Sequence, residues 1–213
     1  MTEAAPDTRW FYLCTDDALA MPNAFVTTRV GVVPLVAQNL KGRVVAFRNV
    51  CTHRFAVIHG EPTGCGPLRC PYHGWTFDAE GMPTGLPFNP TDFQLDAEGR
   101  RRLALNPASL ARCGRLVFIR VATEGPGLEA QMGAEIFARL STLSTTFTRP
   151  VPEVEADIVP GDDWEWFETA NLRVALRPGH TLLLEGLPSP GADNRFVRHA
   201  AFRSAPADAE MPA

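Results

Sequence analysis

No run of apolar residues in this chain approaches the ~20 that a helix needs to cross a bilayer. The first ten residues, MTEAAPDTRW, lack the basic stretch and apolar segment of a secretory leader. No block of lysine and arginine stands out, and the 213 residues carry a formal net charge of −4. A nucleic-acid polyanion is therefore a poor partner. The cysteines number five, an odd set. Without a leader, that argues against a disulfide framework and for a reducing, cytoplasmic location. Wholesale disorder is also disfavoured, because hydrophobic residues make up 45% and charged residues 21% of the chain. With 19 prolines and 17 glycines, helix-only architectures give way to a loop-rich β protein.

What the sequence does contain is a set of short β-type segments. Residues 10–14 (WFYLC), 26–37 (VTTRVGVVPLVA) and 43–50 (RVVAFRNV) are rich in β-branched and aromatic residues and bounded by turn signals. Leu40-Lys41-Gly42-Arg43 reads as a hairpin turn. Trp75-Thr76-Phe77 reads as a strand running into a turn at residues 78–81, and 116–121 (LVFIRV) as a further strand. Residues 128–143 predict a helix, with Leu128, Met132, Ile136, Leu140 and Leu143 on one face. After a linker-like turn at Arg149-Pro150-Val151-Pro152, the pattern predicts a strand over 154–159. A second helix is predicted over 163–176, capped by Asp162 or Asp163, and strands over 181–185 and 195–203. The tail APADAEMPA reads as mobile. The expected fold is mostly β with some α: a small antiparallel β domain over 1–124, a helix and linker over 125–150, and an α+β segment over 151–213.

Two of the cysteines and two of the five histidines fall into one pattern. Cys51-Thr52-His53 is followed, after sixteen intervening residues, by Cys70-Pro71-Tyr72-His73. Thiolates and imidazoles in two short clusters are a metal-site signature. A Cys2His2 zinc finger pairs Cys with Cys on one knuckle and His with His on the other. Here each knuckle carries one of each. That suits a two-iron [2Fe–2S] cluster in which two thiolates hold one iron and two imidazoles the other, with zinc as the alternative. Neutral imidazoles in place of anionic thiolates raise the potential of such a pair. Cys65 matches no ligand spacing and reads as a spare thiol, as do Cys14 and Cys113; His59 reads as a loop histidine.

The stretch from Cys51 to Pro87 resembles the Rieske iron–sulfur domain, and more narrowly the N-terminal part of ring-hydroxylating oxygenase large (alpha) subunits. Cys51, His53 and Arg54, then Cys70-Pro71-Tyr72-His73-Gly74-Trp75, Phe77-Asp78 and Gly81 carry the likeness, which spans roughly residues 9–122. It implies Cys51 and Cys70 on an inner iron and His53 and His73 on an outer one. Arg54, Tyr72 and Trp75 would pack around them, and His73 would lie nearest a redox partner. Phe55 departs from the pattern, since these oxygenases usually have glycine there, which leaves the path of the first loop open. The Rieske proteins of respiratory complexes add a disulfide between the two loops. Its positions here fall near Ala56 and at Tyr72, so the likeness is to the oxygenase type, with its lower potentials.

The large subunits continue into a domain that holds a mononuclear iron by two histidines and a carboxylate. Against their first ligand helix, Asp163-Trp164-Glu165 and Glu168-Thr169-Ala170-Asn171-Leu172 look like a faded copy. The first histidine falls near Leu176, the second near His180 but out of step by one, and Arg173 takes an acidic position. No catalytic residue is therefore assigned, and three readings follow. The preferred one is an electron-transfer or accessory subunit, fed by a reductase or ferredoxin and serving a full-length oxygenase alpha-type partner. The resemblance implies a ring of three, in which the cluster of one subunit faces the iron of its neighbour. The second is a self-contained oxygenase with a non-standard iron site from His180, His199 and a carboxylate such as Asp193 or Glu168. The third is an interaction subunit whose cluster only stabilises the fold. The run Arg100-Arg101-Arg102 reads as a solvated face that could dock an acidic reductase.

Overall fold

A computed structural model describes residues 7–87, 89–146, 149–150, 161–169, 171–177, 181–186 and 197–203. The expected strand over 154–159, the tail 205–213, His180 and Asp193 lie outside these residues. The chain divides into two compact units. One consists of Met1–Thr8, Thr15–Leu110 and Ile119–Gly125, and the other of Arg9–Cys14, Ala111–Phe118 and Pro126–Ala213.

The first unit is built on a four-stranded sheet in the order β4-β3-β2-β5. Its strands are β2 (Ala24–Val30), β3 (Val33–Leu40), β4 (Arg43–Arg48) and β5 (Thr63–Cys65), all paired antiparallel. Residues 26–37 are thus two strands rather than one. Val30 pairs with Val33 across Gly31-Val32, and Gly31 takes a left-handed φ of 59° that suits glycine. The turn expected at residues 40–43 is present. Lys41 and Gly42 both have positive φ, 57° and 89°, the conformation that lets a two-residue turn follow the twist of its strands. Asn39 fastens it by accepting the Gly42 N–H at 2.8 Å. A small ladder of β6 (Thr76–Phe77) with β7 (Pro83–Gly85) completes the unit's strands. The core of this unit gathers Phe25, Val36, Phe47, Ile58, Leu68, Trp75 and Phe77 around the two buried cysteines Cys51 and Cys70.

The Arg100–Arg102 run lies on α1 (Ala97–Arg102), whose N-terminus is capped by Asp96 accepting the Gly99 N–H at 2.7 Å. Arg101 and Arg102 both face Glu98, at 2.8 and 3.8 Å. That is the paired, solvated face the sequence suggests.

The second unit carries two sheets. β1 (Phe11–Thr15), β9 (Leu116–Arg120) and β8 (Ser109–Cys113) form one, in the order β1-β9-β8. The other runs β10-β14-β13-β12-β11 and comprises β10 (Arg149–Pro150), β11 (Glu165–Thr169), β12 (Leu172–Arg177), β13 (Thr181–Gly186) and β14 (Val197–Arg203). The linker expected at 149–150 is therefore an edge strand, paired with β14. The helix over 128–143 is two helices, α2 (Leu128–Met132) and α3 (Ala134–Thr146). They break at Gly133, which takes φ 86°. Leu128, Met132 and Leu140 fill the core as the helical spacing expects, and Phe137 and Leu143 pack against it.

The helix expected over 163–176 does not form. Residues 165–169 and 172–177 pair antiparallel, β11 on β12, with Trp166 opposite Ala175 and Glu168 opposite Arg173. Several of these residues favour helices, but burial decides. Leu172, Val174 and Leu176 alternate onto one face and join Leu182 and Leu184 of β13 in the core, while Ala175 and Leu183 pack with Trp164 on the other. Asp163 does not cap a helix; it pairs with Arg177 at 2.8 Å. Arg173 pairs with Glu185 across the ladder at 2.6 Å and lies over the Trp166 ring at 4.6 Å.

Candidate metal centre

The site is built from two loops with one backbone design. In the first, between β4 and β5, the Cys51 N–H donates to the Ala56 carbonyl five residues on, at 2.8 Å. The Phe55 N–H returns to the Cys51 carbonyl at 2.9 Å. In the second, the Cys70 N–H donates to the Trp75 carbonyl at 2.8 Å, and the Gly74 N–H returns to the Cys70 carbonyl at 3.0 Å. The fourth residue after each cysteine takes a left-handed φ, 58° at Phe55 and 72° at Gly74. Phe55 therefore occupies the counterpart of a glycine, and the first loop keeps its path despite the bulkier residue. Phe55 is 78% exposed, so little packing repays its conformation, which costs a side-chain-bearing residue roughly 1–2 kcal/mol. Phe55→Gly is expected to raise stability by about 1 kcal/mol, seen as a higher urea midpoint at unchanged slope. A lower midpoint would mean that the ring is packed after all.

This design turns both cysteines inward and both histidines toward an open cleft. Cys51 and Cys70 are buried, and the Cys70 side chain lies near enough to help raise the pKa of the Cys51 thiol. His53 and His73 are half-buried, with ring centroids 4.8 Å apart. Sulfur thus meets sulfur and imidazole meets imidazole, although each loop supplies one of each. Among the described residues no three of His, Cys, Asp and Glu converge on a point that could hold a single ion. A division of two ligands to each of two irons needs no such trio, whereas a single tetrahedral zinc draws all four to one centre.

The electrostatics suit donors waiting for a metal. Burial pushes the Cys51 thiol up to about 11; the His53 backbone N–H pulls it down and the Cys70 side chain adds to the rise. At neutral pH the metal-free thiol is protonated, so metal binding must release that proton. His53 is held below the ordinary histidine value, first by burial and then by the charges of His73 and Arg54, so its ring is neutral with a lone pair to give. His73 Nδ1 is buried with no hydrogen-bond partner. An orphaned imidazole nitrogen beside a second imidazole and two thiols fits the donor set of a two-iron cluster.

The residues expected around the ligands take different places. Trp75 is 1% exposed, and its ring lies flat on His53, centroids 4.6 Å apart at 3°. Tyr72 is 61% exposed and leans on His73 at 3.9 Å. Arg54 is exposed and lines the cleft, a space of about 1050 Å³ that His53, His59, Cys65, Arg69, Tyr72 and His73 also border. His59 is occupied elsewhere. Its ring stacks on Phe25 at 3.8 Å and its Nε2 meets Gln38 Oε1 at 3.1 Å, while burial lowers its pKa. Cys65 is exposed and donates to the Pro22 carbonyl at 3.3 Å. Cys113 is buried, with its thiol pushed up to about 11, and donates to the Phe137 carbonyl at 3.2 Å.

Two residues escaped the sequence reading. Phe93, on a π-turn over Asn89–Phe93, meets the His53 ring edge-on at 5.1 Å. Asn49, 3% exposed, ties off the first loop: its amide donates to the His59 carbonyl at 2.7 Å and its oxygen accepts the His59 N–H at 3.0 Å. Its place two residues before Cys51 is the one sequence signal for the latter.

Of the alternative iron donors, His180 and Asp193 lie outside the described residues, and Glu168 and His199 stand on strands far apart in one sheet. In the ladder Glu168 pairs with Arg173, Arg173 with Glu185, and Glu185 with Arg198, next to His199. Three strand spacings separate Glu168 from the strand of His199, or about 14 Å, too far for one ion.

Residues 9–101 match the family model of the Rieske [2Fe-2S] domain. The chain is 31% identical over 142 residues to subunit alpha 2 of the terminal oxygenase component of terephthalate 1,2-dioxygenase from Comamonas sp, covering 62% of this chain and 33% of that subunit. It is 36% identical over 81 residues to the large oxygenase component of the naphthalene 1,2-dioxygenase system of Pseudomonas aeruginosa, covering 37% of this chain and 18% of that one. It thus spans about a third or less of these relatives. In structure it resembles the apo form of a quaternary ammonium Rieske monooxygenase, with a TM-score of 0.70 at 17% identity over 98% of this chain and 71% of that one. At that identity the likeness speaks for the fold alone.

Proposed function

We propose, from the premise that residues 9–101 are a Rieske [2Fe–2S] domain related to ring-hydroxylating oxygenase alpha subunits, that Cys51 and Cys70 hold an inner iron and His53 and His73 an outer one. The observation that carries this ligand assignment is the unmet Nδ1 of His73, buried beside His53 while the two thiols meet in the core. A cluster so held takes up and gives back one electron at a time. Cys51 and Cys70 anchor it in the core. The half-buried imidazoles give the electron a short way out through the cleft, where Tyr72 covers His73.

The chain then works as a relay, receiving electrons from a reductase or ferredoxin and passing them to a catalytic oxygenase subunit in a mixed, ring-like oligomer. The spread of Glu168 and His199 across the sheet favours this over a self-contained site using that pair. Anaerobic rapid mixing tests it. The dithionite-reduced chain should be reoxidised by an alpha-type oxygenase subunit, and turnover should depend on this chain and vanish with His73→Ala. Turnover by the purified chain with reductase and oxygen alone, with a third iron per chain, would replace the relay by a complete oxygenase.

A further inference from the structure

Two buried side-chain polar atoms among the described residues have no hydrogen-bond partner, His73 Nδ1 and Trp75 Nε1. The first has a role as a ligand. The second has none. An indole N–H can only donate, and leaving one buried and unmet costs about 1–3 kcal/mol. Trp75 is also among the most enclosed side chains of the protein, at 1% exposure.

Its surroundings narrow what the acceptor can be. The indole is flat on His53, whose ring lies 4.8 Å from that of His73, and it stands edge-on to Phe93 at 5.3 Å. It packs in the core that contains Cys51 and Cys70, and its own carbonyl accepts the Cys70 N–H. Both orphaned atoms therefore belong to rings that flank His53. The lone pair of His73 awaits a metal and the hydrogen of Trp75 awaits an acceptor. A single bound group that brings iron to the first brings sulfur to the second.

We propose that the Trp75 N–H donates a hydrogen bond to a sulfur of the cluster, a bridging sulfide or a cysteine thiolate, and so holds the reduction potential up. This rests on the Rieske reading of the site. Trp75 is a positioning residue that acts on the cluster's charge; it is neither ligand nor catalyst. A donor aimed at sulfur favours the reduced form, which carries one more negative charge, over the oxidised form. A buried water as the acceptor leaves the potential nearly unchanged.

Trp75→Phe keeps an aromatic ring on His53 and removes the donor together with part of the ring volume. The cluster-loaded variant should be reduced with an equilibrium constant roughly tenfold smaller, equal to about 59 mV for one electron, as read by dye-coupled titration. A loaded variant with unchanged potential overturns the proposal.

Should Trp75→Phe not load, the wild type decides. Of the four tryptophans only Trp75 joins the core around the ligand cysteines. Wild type grown with 15N-indole tryptophan should therefore show one 15N coupling in pulsed EPR of the reduced cluster, with a proton coupling that disappears in D2O. A Rieske EPR signal without the 15N coupling defeats this inference alone. No Rieske signal in the wild type defeats the cluster reading beneath it.

Discussion

Replacing Cys70 by Ala is expected to bleach the protein and to lower its melting temperature by roughly 8–16 °C. Cys70 is 2% exposed and meets Cys51 in the core, and each loop is closed at its tip by two backbone hydrogen bonds, with a third at its base from Ile58 to Asn49 in one and from Phe77 to Leu68 in the other. None of these bonds joins one loop to the other, so on the proposed reading the group they share supplies that link. Metal binding to a site absent from the unfolded chain counts as folding free energy, about 10–16 kcal/mol for structural zinc in finger peptides. Losing even about 4 kcal/mol shifts the melting temperature of a chain this size by that interval, at roughly 2–4 °C per kcal/mol. Cys65→Ala is the control. It borders the same cleft but is exposed and touches only the Pro22 carbonyl, so colour and melting should stay within error. Equal melting of both variants would mean that the loops stand without the cluster.

The second large effect is expected at Asn49. Its side chain closes the first loop by bonding both backbone groups of His59, and its own carbonyl accepts the Ile58 N–H at 3.3 Å. Asn49→Ala leaves the His59 N–H and carbonyl without these partners in a crowded place. At about 1–3 kcal/mol for each unmet buried group, partly relieved by water, the cost is roughly 2–4 kcal/mol. The urea midpoint should fall accordingly, and an iron chelator should strip the cluster several-fold faster because the Cys51 loop is no longer tied at its far end. Asn49→Asp should rescue little, since a carboxylate accepts the His59 N–H but cannot donate to the His59 carbonyl. A midpoint shift below about 0.5 kcal/mol would show that water or a backbone shift replaces the clamp.

The parts of this protein legible in its sequence are those fixed by local chemistry. Cys51, His53, Cys70 and His73 announce a metal by residue type and spacing. The β-branched runs place β4 and β6 within two residues and merge β2 with β3 into one segment, while the short β5 and β7 carry no such signal. The likeness of the two loops was hidden. It lies in backbone hydrogen bonds, and Phe55 stands where the second loop has Gly74. The greatest departure, the pairing of β11 with β12, arises because helix-favouring residues there are overruled by a neighbouring strand. Leu182 and Leu184 of β13 offer Leu172, Val174 and Leu176 a buried face with a period of two, which no window around the segment reveals. In the same way Gly133 divides a helix whose apolar spacing runs straight through it. Asn49 and Phe93 escaped for a related reason: an asparagine or a phenylalanine carries no spacing signal until the fold sets it against a loop end or a ligand ring.

Anaerobically purified protein, analysed for iron and acid-labile sulfide and examined by low-temperature EPR after dithionite reduction, tests the central claim most directly. Two irons and two sulfides per chain are expected, with a brown-red colour and a rhombic signal of low average g value that is lost with His73→Ala. A colourless protein carrying one zinc per chain and silent in EPR contradicts it.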